Sequence, residues 1–129
     1  MYVKNEMKNL FVVFIFSCLL SCTSQQECPE GINVLPMYGS IEKCKQQIQT
    51  DNAFILASEQ EFENRKEASE YYISKGWEYY YTDELDASMK RFNQAWLLDD
   101  KNPEVYWGFG NLLGRKSEFE KSINYFLTS

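Results

Sequence analysis

The sequence contains no histidine among its 129 residues. Histidine is the most common general base and the most common metal ligand in proteins, so its absence argues against both kinds of site. Basic residues are also scarce, since 13 lysines and arginines stand against 19 aspartates and glutamates. A net charge of −6 without a basic stripe argues against binding to nucleic acid, which requires contacts to phosphates. We therefore predict no metal, no cofactor and no nucleic-acid partner.

The remaining polar residues do not form a catalytic pattern. Asp99 and Asp100 are adjacent, which suits helix capping better than acid–base chemistry between opposed carboxylates. The numerous glutamates between positions 59 and 70 cluster as on a solvated helix face. Ser88 and Ser122 occupy equivalent positions in a repeated stretch, with no base near them in sequence. We therefore predict that the protein is not an enzyme.

The chain opens with the pattern of an export signal. Lys4 and Lys8 form a short positive region, and residues 10–20 are an almost unbroken apolar run. This run is too short to span a bilayer comfortably as a permanent helix, and its flanks are those of a signal peptide. Residues 1–21 are therefore predicted to be a signal peptide that directs the chain to the cell envelope.

The end of this signal, Leu19-Leu20-Ser21-Cys22, resembles a bacterial lipobox. The resemblance implies cleavage before Cys22, which would carry the lipid that anchors the mature protein to a membrane. The alternatives are an ordinary cleaved signal peptide and an uncleaved anchor. Thr23 is not the aspartate that retains lipoproteins at the inner membrane in some bacteria, which favours the outer membrane, facing the periplasm.

Residues 22–39 are predicted to form an irregular tether, because prolines and glycines punctuate them. The apolar stretch 32–38 is expected to lie on the first helix; a partner-binding strand is the alternative. Once Cys18 leaves with the signal and Cys22 carries lipid, Cys28 and Cys44 remain as an even pair. In an oxidising compartment they are candidates for a disulfide, the alternative being two free thiols.

The second half of the chain contains a repeat with a period of 34 residues. When residues 69–95 are aligned with 103–129, six of the 27 pairs are identical, where chance gives roughly one or two. A fixed period of this length indicates stacked pairs of antiparallel helices. Ser117 with Glu120 reads as a capping box, and Asp83 is expected to cap the equivalent helix. Asn102-Pro103 is expected to begin the next helix.

The repeated positions resemble those of tetratricopeptide repeats, which alternate large aromatic residues with small ones. The positions predicted to pack the repeats together are Tyr72, Gly76, Tyr79, Ser88, Phe92 and Ala95 in the first unit, and Tyr106, Gly110, Leu113, Ser122 and Phe126 in the second. The return of a glycine at the same phase suggests a close approach of neighbouring helices, because glycine otherwise weakens a helix by about 1 kcal/mol. The resemblance implies an all-α, short solenoid of antiparallel helix pairs.

We therefore predict a leading, capping helix at 40–66, with Ser40 as its cap and a restart at Asn64-x-x-Glu67. A first repeat follows at 69–102, and an incomplete second repeat at 103–129. Several apolar side chains of the last helix would be left partly bare: Phe119, Ile123, Tyr125 and Phe126. This end suggests a truncated sequence, self-association through the last repeat, or marginal stability.

In tetratricopeptide arrays the first helix of each unit lines a binding groove. The resemblance implies a groove formed here by Ile73, Trp77, Tyr80, Tyr81, Trp107, Asn111 and Arg115. Rigid aromatic side chains are good anchors for a peptide or helix; the alternative is that Trp77 and Trp107 are buried between helices. We predict an envelope scaffold that binds another envelope protein or a peptide. The alternatives are a lipoprotein that binds glycan or peptidoglycan and a structural subunit that docks through its last repeat.

Overall fold

The computed structural model describes residues 27–129, which form five α-helices and contain no β-strand in that range. The helices are α1 (Lys45–Glu61), α2 (Arg65–Tyr81), α3 (Leu85–Leu98), α4 (Pro103–Arg115) and α5 (Phe119–Phe126). This architecture confirms the all-α fold class and fits a tetratricopeptide-like helical repeat. The predicted signal peptide, the lipidation candidate Cys22 and the start of the tether lie outside the described residues. No helix from Glu27 onward is long and apolar enough to cross a membrane.

Two helix starts that the sequence indicated are present. Asn64 precedes α2, and its side-chain oxygen accepts a hydrogen bond from the backbone N–H of Glu67 at 3.0 Å. Asn102 precedes α4 in the same way, accepting from the N–H of Glu104 at 3.0 Å, with Pro103 in the first turn. These bonds satisfy donors that have no partner within the helix. The two asparagines therefore set where the first helix of each repeat begins.

Asp83 and Ser117 were expected to cap the second helices, and this prediction is wrong. The residues that precede α3 and α5 are Glu84 and Glu118, neither of which makes a side-chain capping bond. Asp83 and Ser117 instead take left-handed backbone conformations, with φ of 65° and 62°. Such a residue ends the preceding helix, and the following N–H bonds back into it, at 2.9 Å in both repeats. The turn between the paired helices is so short that Asp83 and Ser117 must end the first helix and cannot also cap the second.

The interior of each repeat is built on the contact between a glycine and an aromatic ring. A Cβ atom added to Gly76 would lie 2.7 Å from the Phe92 ring, and one added to Gly110 would lie 2.5 Å from the Phe126 ring. The hydroxyl of Ser88 donates to the carbonyl of Gly76 at 2.7 Å. In the second repeat, the Ser122 hydroxyl donates to Gly110 at the same distance. The recurring glycines thus face a ring and a hydroxyl of the paired helix.

A glycine outside the recurring set joins the two repeats. Gly108 of α4 lies on the other side of Phe92, where an added Cβ would stand 2.5 Å from two ring atoms. The Phe92 ring is completely buried, and α3 and α4 share one core cluster that includes Met89, Val105 and Phe109. The first repeat aligns serine at the position of Gly108, so the repeat pattern did not reveal it.

The leading helix is shorter than the predicted range 40–66. Its N-cap is Cys44 and not Ser40, and Gln47 completes the cap by accepting from the Cys44 N–H at 3.1 Å. Ser40 instead belongs to a 3-10 helix and has a left-handed φ of 53°. Aromatic contacts attach α1 to α2, with the ring centroids of Phe54 and Tyr72 separated by 5.1 Å.

The segment before α1 packs on α3 rather than on the first helix. It forms two short 3-10 helices, Ile32–Val34 and Pro36–Ser40, in place of a strand or a loose tether. The side-chain amide of Asn93 on α3 donates to the carbonyl of Asn33 at 3.0 Å and to that of Leu35 at 2.8 Å. The polar side chain thus replaces the backbone partners that an irregular segment lacks.

A disulfide joins Cys28 to Cys44, which are separated by 16 positions in sequence and have Cα atoms 5.0 Å apart. Because Cys44 is also the residue preceding α1, the bond ties the N-terminal segment to the start of that helix. The loop it closes contains both 3-10 helices.

Candidate functional site

Trp77 stands on α2 and contacts both the core and α4. Its indole ring meets Phe92 edge-on, with centroids 5.2 Å apart, and lies near Tyr80 and Tyr81. Its Nε1–H donates to the carboxylate of Glu104 at 3.2 Å. The ring is half-buried, so Trp77 both packs the stack and presents an edge at the surface between α2 and α4.

Tyr80 and Tyr81 continue this surface toward the end of α2. The guanidinium of Arg115 lies over the Tyr80 ring at 5.1 Å from its centroid, and it also pairs with the carboxylate of Asp83. Tyr81 has 79% of its surface exposed. An aromatic ring this accessible gains nothing from the core, which leaves it free to contact another molecule.

Trp107 extends the same surface onto α4. It is 49% exposed, and its ring centroid lies 4.8 Å from that of Phe126. Asn111, one turn later, donates its amide to the backbone carbonyl of Trp107 at 2.8 Å. Asn111 and Arg115, the two polar residues of the predicted groove, therefore both bond to groups of this chain. We call Trp77, Tyr80, Tyr81 and Trp107 the aromatic surface.

Ile73 is a correction to the predicted groove. Its side chain is only 3% exposed and belongs to the core cluster with Phe92 and Val105. The resemblance placed it in the groove with Trp77, but it packs into the core that α2 shares with α3 and α4. The surface therefore begins at Trp77.

The aromatic surface adjoins an apolar depression at the C-terminal end of the stack. This depression has a volume of about 400 Å³ and lies between α4 and α5, bordered by Tyr80, Arg115, Phe119 and Ile123. Phe119 and Ile123 are exposed, as is Leu127 one turn further on. Phe119, Ile123, Tyr125 and Phe126 were expected to be partly bare; the first two are exposed, and Tyr125 and Phe126 are half-buried.

A second, larger cleft of about 960 Å³ opens between the disulfide-closed segment, α1 and α3. Its lining mixes aromatic, amide and charged side chains: Tyr38, Gln47, Thr50, Phe54, Lys90, Arg91 and Gln94. Several of these groups already have partners, because Gln47 donates to the carbonyl of Pro29 at 2.7 Å and Arg91 donates to Gln94 at 2.8 Å. No sequence pattern predicts this cleft, because the cleft depends on where the 3-10 helices pack.

Several charged side chains of the described region form ion pairs within it. Lys43 pairs with Asp51 and lies 3.1 Å above the ring of Tyr38. Burial, with a smaller effect of Asp51, raises the pKa of Tyr38 well above the ordinary tyrosine value. The hydrogen bond and charge of Lys116 lower the pKa of Asp86. From Glu27 to Ser129 no group of acidic residues and cysteines is arranged to hold a metal ion.

The chain resembles a TPR repeat-containing protein of Methanocaldococcus jannaschii over part of its length. The two are 38% identical over 56 residues, which is 43% of this chain and 10% of that protein. The chain therefore spans a small part of the relative that it matches. No family model matches the chain. No solved structure matches it either.

Proposed function

We propose that this protein is a lipid-anchored scaffold of the bacterial cell envelope that binds another envelope protein through the aromatic surface. The tetratricopeptide relative and the helical repeat support an interaction role in general, and the lipobox-like Cys22 supports the anchor. The observation that carries the binding proposal is the exposure of Tyr81 and Trp107 beside the half-buried Trp77.

The arrangement of this surface suits a peptide or helix as its ligand. Trp77 and Tyr80 are held by contacts to α4 and to Arg115, so their positions are fixed before a partner arrives. Fixed aromatic side chains lose little conformational entropy on binding, and aromatic residues are common among the few that carry most of an interface's energy. The exposed ring of Tyr81 then supplies apolar area at the edge of the same site.

The binding proposal is tested with one substitution and one control of similar exposure. Crosslinking and capture from intact envelopes should recover a specific protein with the wild-type chain and lose most of it with Tyr81→Ala. Leu56→Ala removes an exposed apolar side chain from α1, away from the aromatic surface, and should leave capture unchanged. Equal recovery with both variants would contradict the proposal.

A fluorescence titration of the wild-type chain distinguishes protein binding from glycan binding. Titration with soluble cell-wall fragments should leave the tryptophan fluorescence unchanged if the partner is a protein. A saturable change that Tyr81→Ala removes would instead assign the surface to a sugar. Lipidation is tested separately: Cys22→Ser should release the chain from the membrane fraction.

A further inference from the structure

The exposed face of α5 is the structural equivalent of a face that α4 covers one repeat earlier. Met89 on α3 is completely buried against α4, while its counterpart 34 residues later, Ile123, is 56% exposed. The Phe92 ring lies between two glycines, Gly76 and Gly108. Among the described residues, the Phe126 ring has one glycine against it, Gly110. The two sets of residues occupy equivalent repeat positions, but a helix covers only the first set in the described structure.

The helix that covers the first repeat shows what the second would accept. It places a glycine, Gly108, against the ring of Phe92, and surrounds it with three completely buried apolar side chains: Val105, Phe109 and Leu112. Lys116, the residue that follows its last turn, pairs with Asp86 of α3 at 2.7 Å. A small residue, an apolar stripe and a terminal basic residue therefore define the complement of this face.

The acidic residue that pairs with this terminal base has an equivalent on α5. Glu120 stands 34 residues after Asp86, in the same first turn of its helix, and is exposed without a basic partner in the described structure. The neighbouring Lys121 is already paired with Glu118. A basic residue arriving at the position of Lys116 one repeat later would meet Glu120.

A second copy of this chain stacked head to tail does not supply this complement. Its α2 would have to cover α5, and the α2 residues equivalent to Phe109 and Leu112 are Lys75 and Glu78. These two form an ion pair at 2.8 Å on the outer side of α2. Packing them over Ile123 and Phe126 would take both charges out of water, which is unfavourable. The two ends of the stack are therefore not complementary to each other.

We propose that the face of α5 formed by Phe119, Ile123, Phe126 and Leu127 binds an amphipathic helix of another polypeptide. This helix places glycine or alanine over Phe126, packs an apolar stripe on Ile123, and ends in a lysine or arginine that pairs with Glu120. This surface is distinct from the aromatic surface, although Trp107 of the latter contacts Phe126. Its ligand copies the chemistry of α4.

The probe for this proposal is a synthetic, fluorescently labelled peptide with the sequence of residues 100–116, which contains α4 and its cap. The full-length chain should bind it saturably, as measured by fluorescence anisotropy. The variant Ile123→Glu should weaken binding at least tenfold, and Leu127→Glu should do the same from a second exposed position. Asn124→Glu adds the same charge at an exposed α5 position outside the face, and it should change the affinity less than twofold.

Two changes in the peptide test the details. Gly108→Leu in the peptide should weaken binding at least tenfold, because its side chain would collide with Phe126. Glu120→Lys in the protein should weaken binding roughly two- to fivefold, as expected of an exposed ion pair, and Lys116→Glu in the peptide should restore the loss. Tyr81→Ala should not affect peptide binding, so this result is independent of the aromatic surface.

Three outcomes would overturn the proposal. One is the absence of saturable peptide binding by the wild-type chain. Another is equal binding by the Ile123→Glu and Asn124→Glu variants. The third is a concentration-dependent dimer in sedimentation that Ile123→Glu abolishes, because the face would then pair with itself across two copies.

Discussion

Two glycines of α4 should respond in opposite ways to alanine, because their surroundings differ. An added Cβ at Gly108 would stand 2.5 Å from two atoms of the Phe92 ring, well inside contact distance. An added Cβ at Gly114 would meet only the Ser122 hydroxyl, at an ordinary 3.4 Å. Both glycines lie within the same helix, so the gain in helix propensity is common to both.

The expected magnitudes follow from these distances. Alanine favours a helix interior over glycine by about 1 kcal/mol, and Gly114→Ala, in the last turn of α4, should gain up to about that amount. Overpacking a filled core costs about 1–3 kcal/mol. The upper end of this range applies at Gly108, because the Phe92 ring is completely buried and cannot shift away without meeting Gly76. The net effect of Gly108→Ala is then a loss of about 2 kcal/mol, from 3 minus 1.

Urea unfolding followed by circular dichroism measures both free energies in one experiment. The midpoint should fall for Gly108→Ala and rise for Gly114→Ala, with unchanged denaturant dependence. In thermal unfolding the first variant should melt roughly 10 °C lower. If Gly108→Ala stabilises the protein as much as Gly114→Ala does, Phe92 is not enclosed by α4, and the template used for the α5 face is lost as well.

Two further predictions concern the N-terminal segment. The double variant Cys28→Ser with Cys44→Ser should lose about 3 kcal/mol of unfolding free energy, as expected for closing a loop of this length; wild type in reducing buffer should match it, and no difference between oxidised and reduced protein would contradict the role of the bond. The pKa of Tyr38 is raised, so the native state holds the phenol proton more tightly than the unfolded state does. The contribution of Tyr38 to stability is therefore fully present below about pH 10, the ordinary tyrosine pKa, and is lost as the pH rises above it. Tyr38→Phe should make this alkaline decline shallower in urea titrations, and an unchanged slope would count against burial as its cause.

The helices of the repeat were predictable because their signals are local or periodic. Asn64 and Asn102 each bond to a backbone N–H two or three residues away, so their role follows from the adjacent sequence. The pairing of Gly76 with Phe92 recurs as Gly110 with Phe126, and a recurring pair can be recognised without knowing the structure.

The remaining features depend on contacts between distant parts of the chain. Asn93 holds the N-terminal segment through carbonyls about 60 residues away, a bond that no local pattern predicts. The resemblance to tetratricopeptide repeats placed Ile73 in the groove, and only the packing of the helices shows that it is buried. Gly108 went unrecognised because its role lies between repeats, and the serine at the matching position of α2 faces no preceding repeat.

The two proposed surfaces meet at one pair of rings. Trp107 belongs to the aromatic surface, and its ring lies 4.8 Å from Phe126, which the proposed helix would cover. A helix docked on α5 would therefore remove water from one side of Trp107 and restrict its ring. A restricted anchor loses less entropy when a second ligand binds, so occupation of α5 should favour binding at the aromatic surface. By reciprocity the second ligand would strengthen the first by the same factor, and the two proposals together predict that this coupling passes through Trp107.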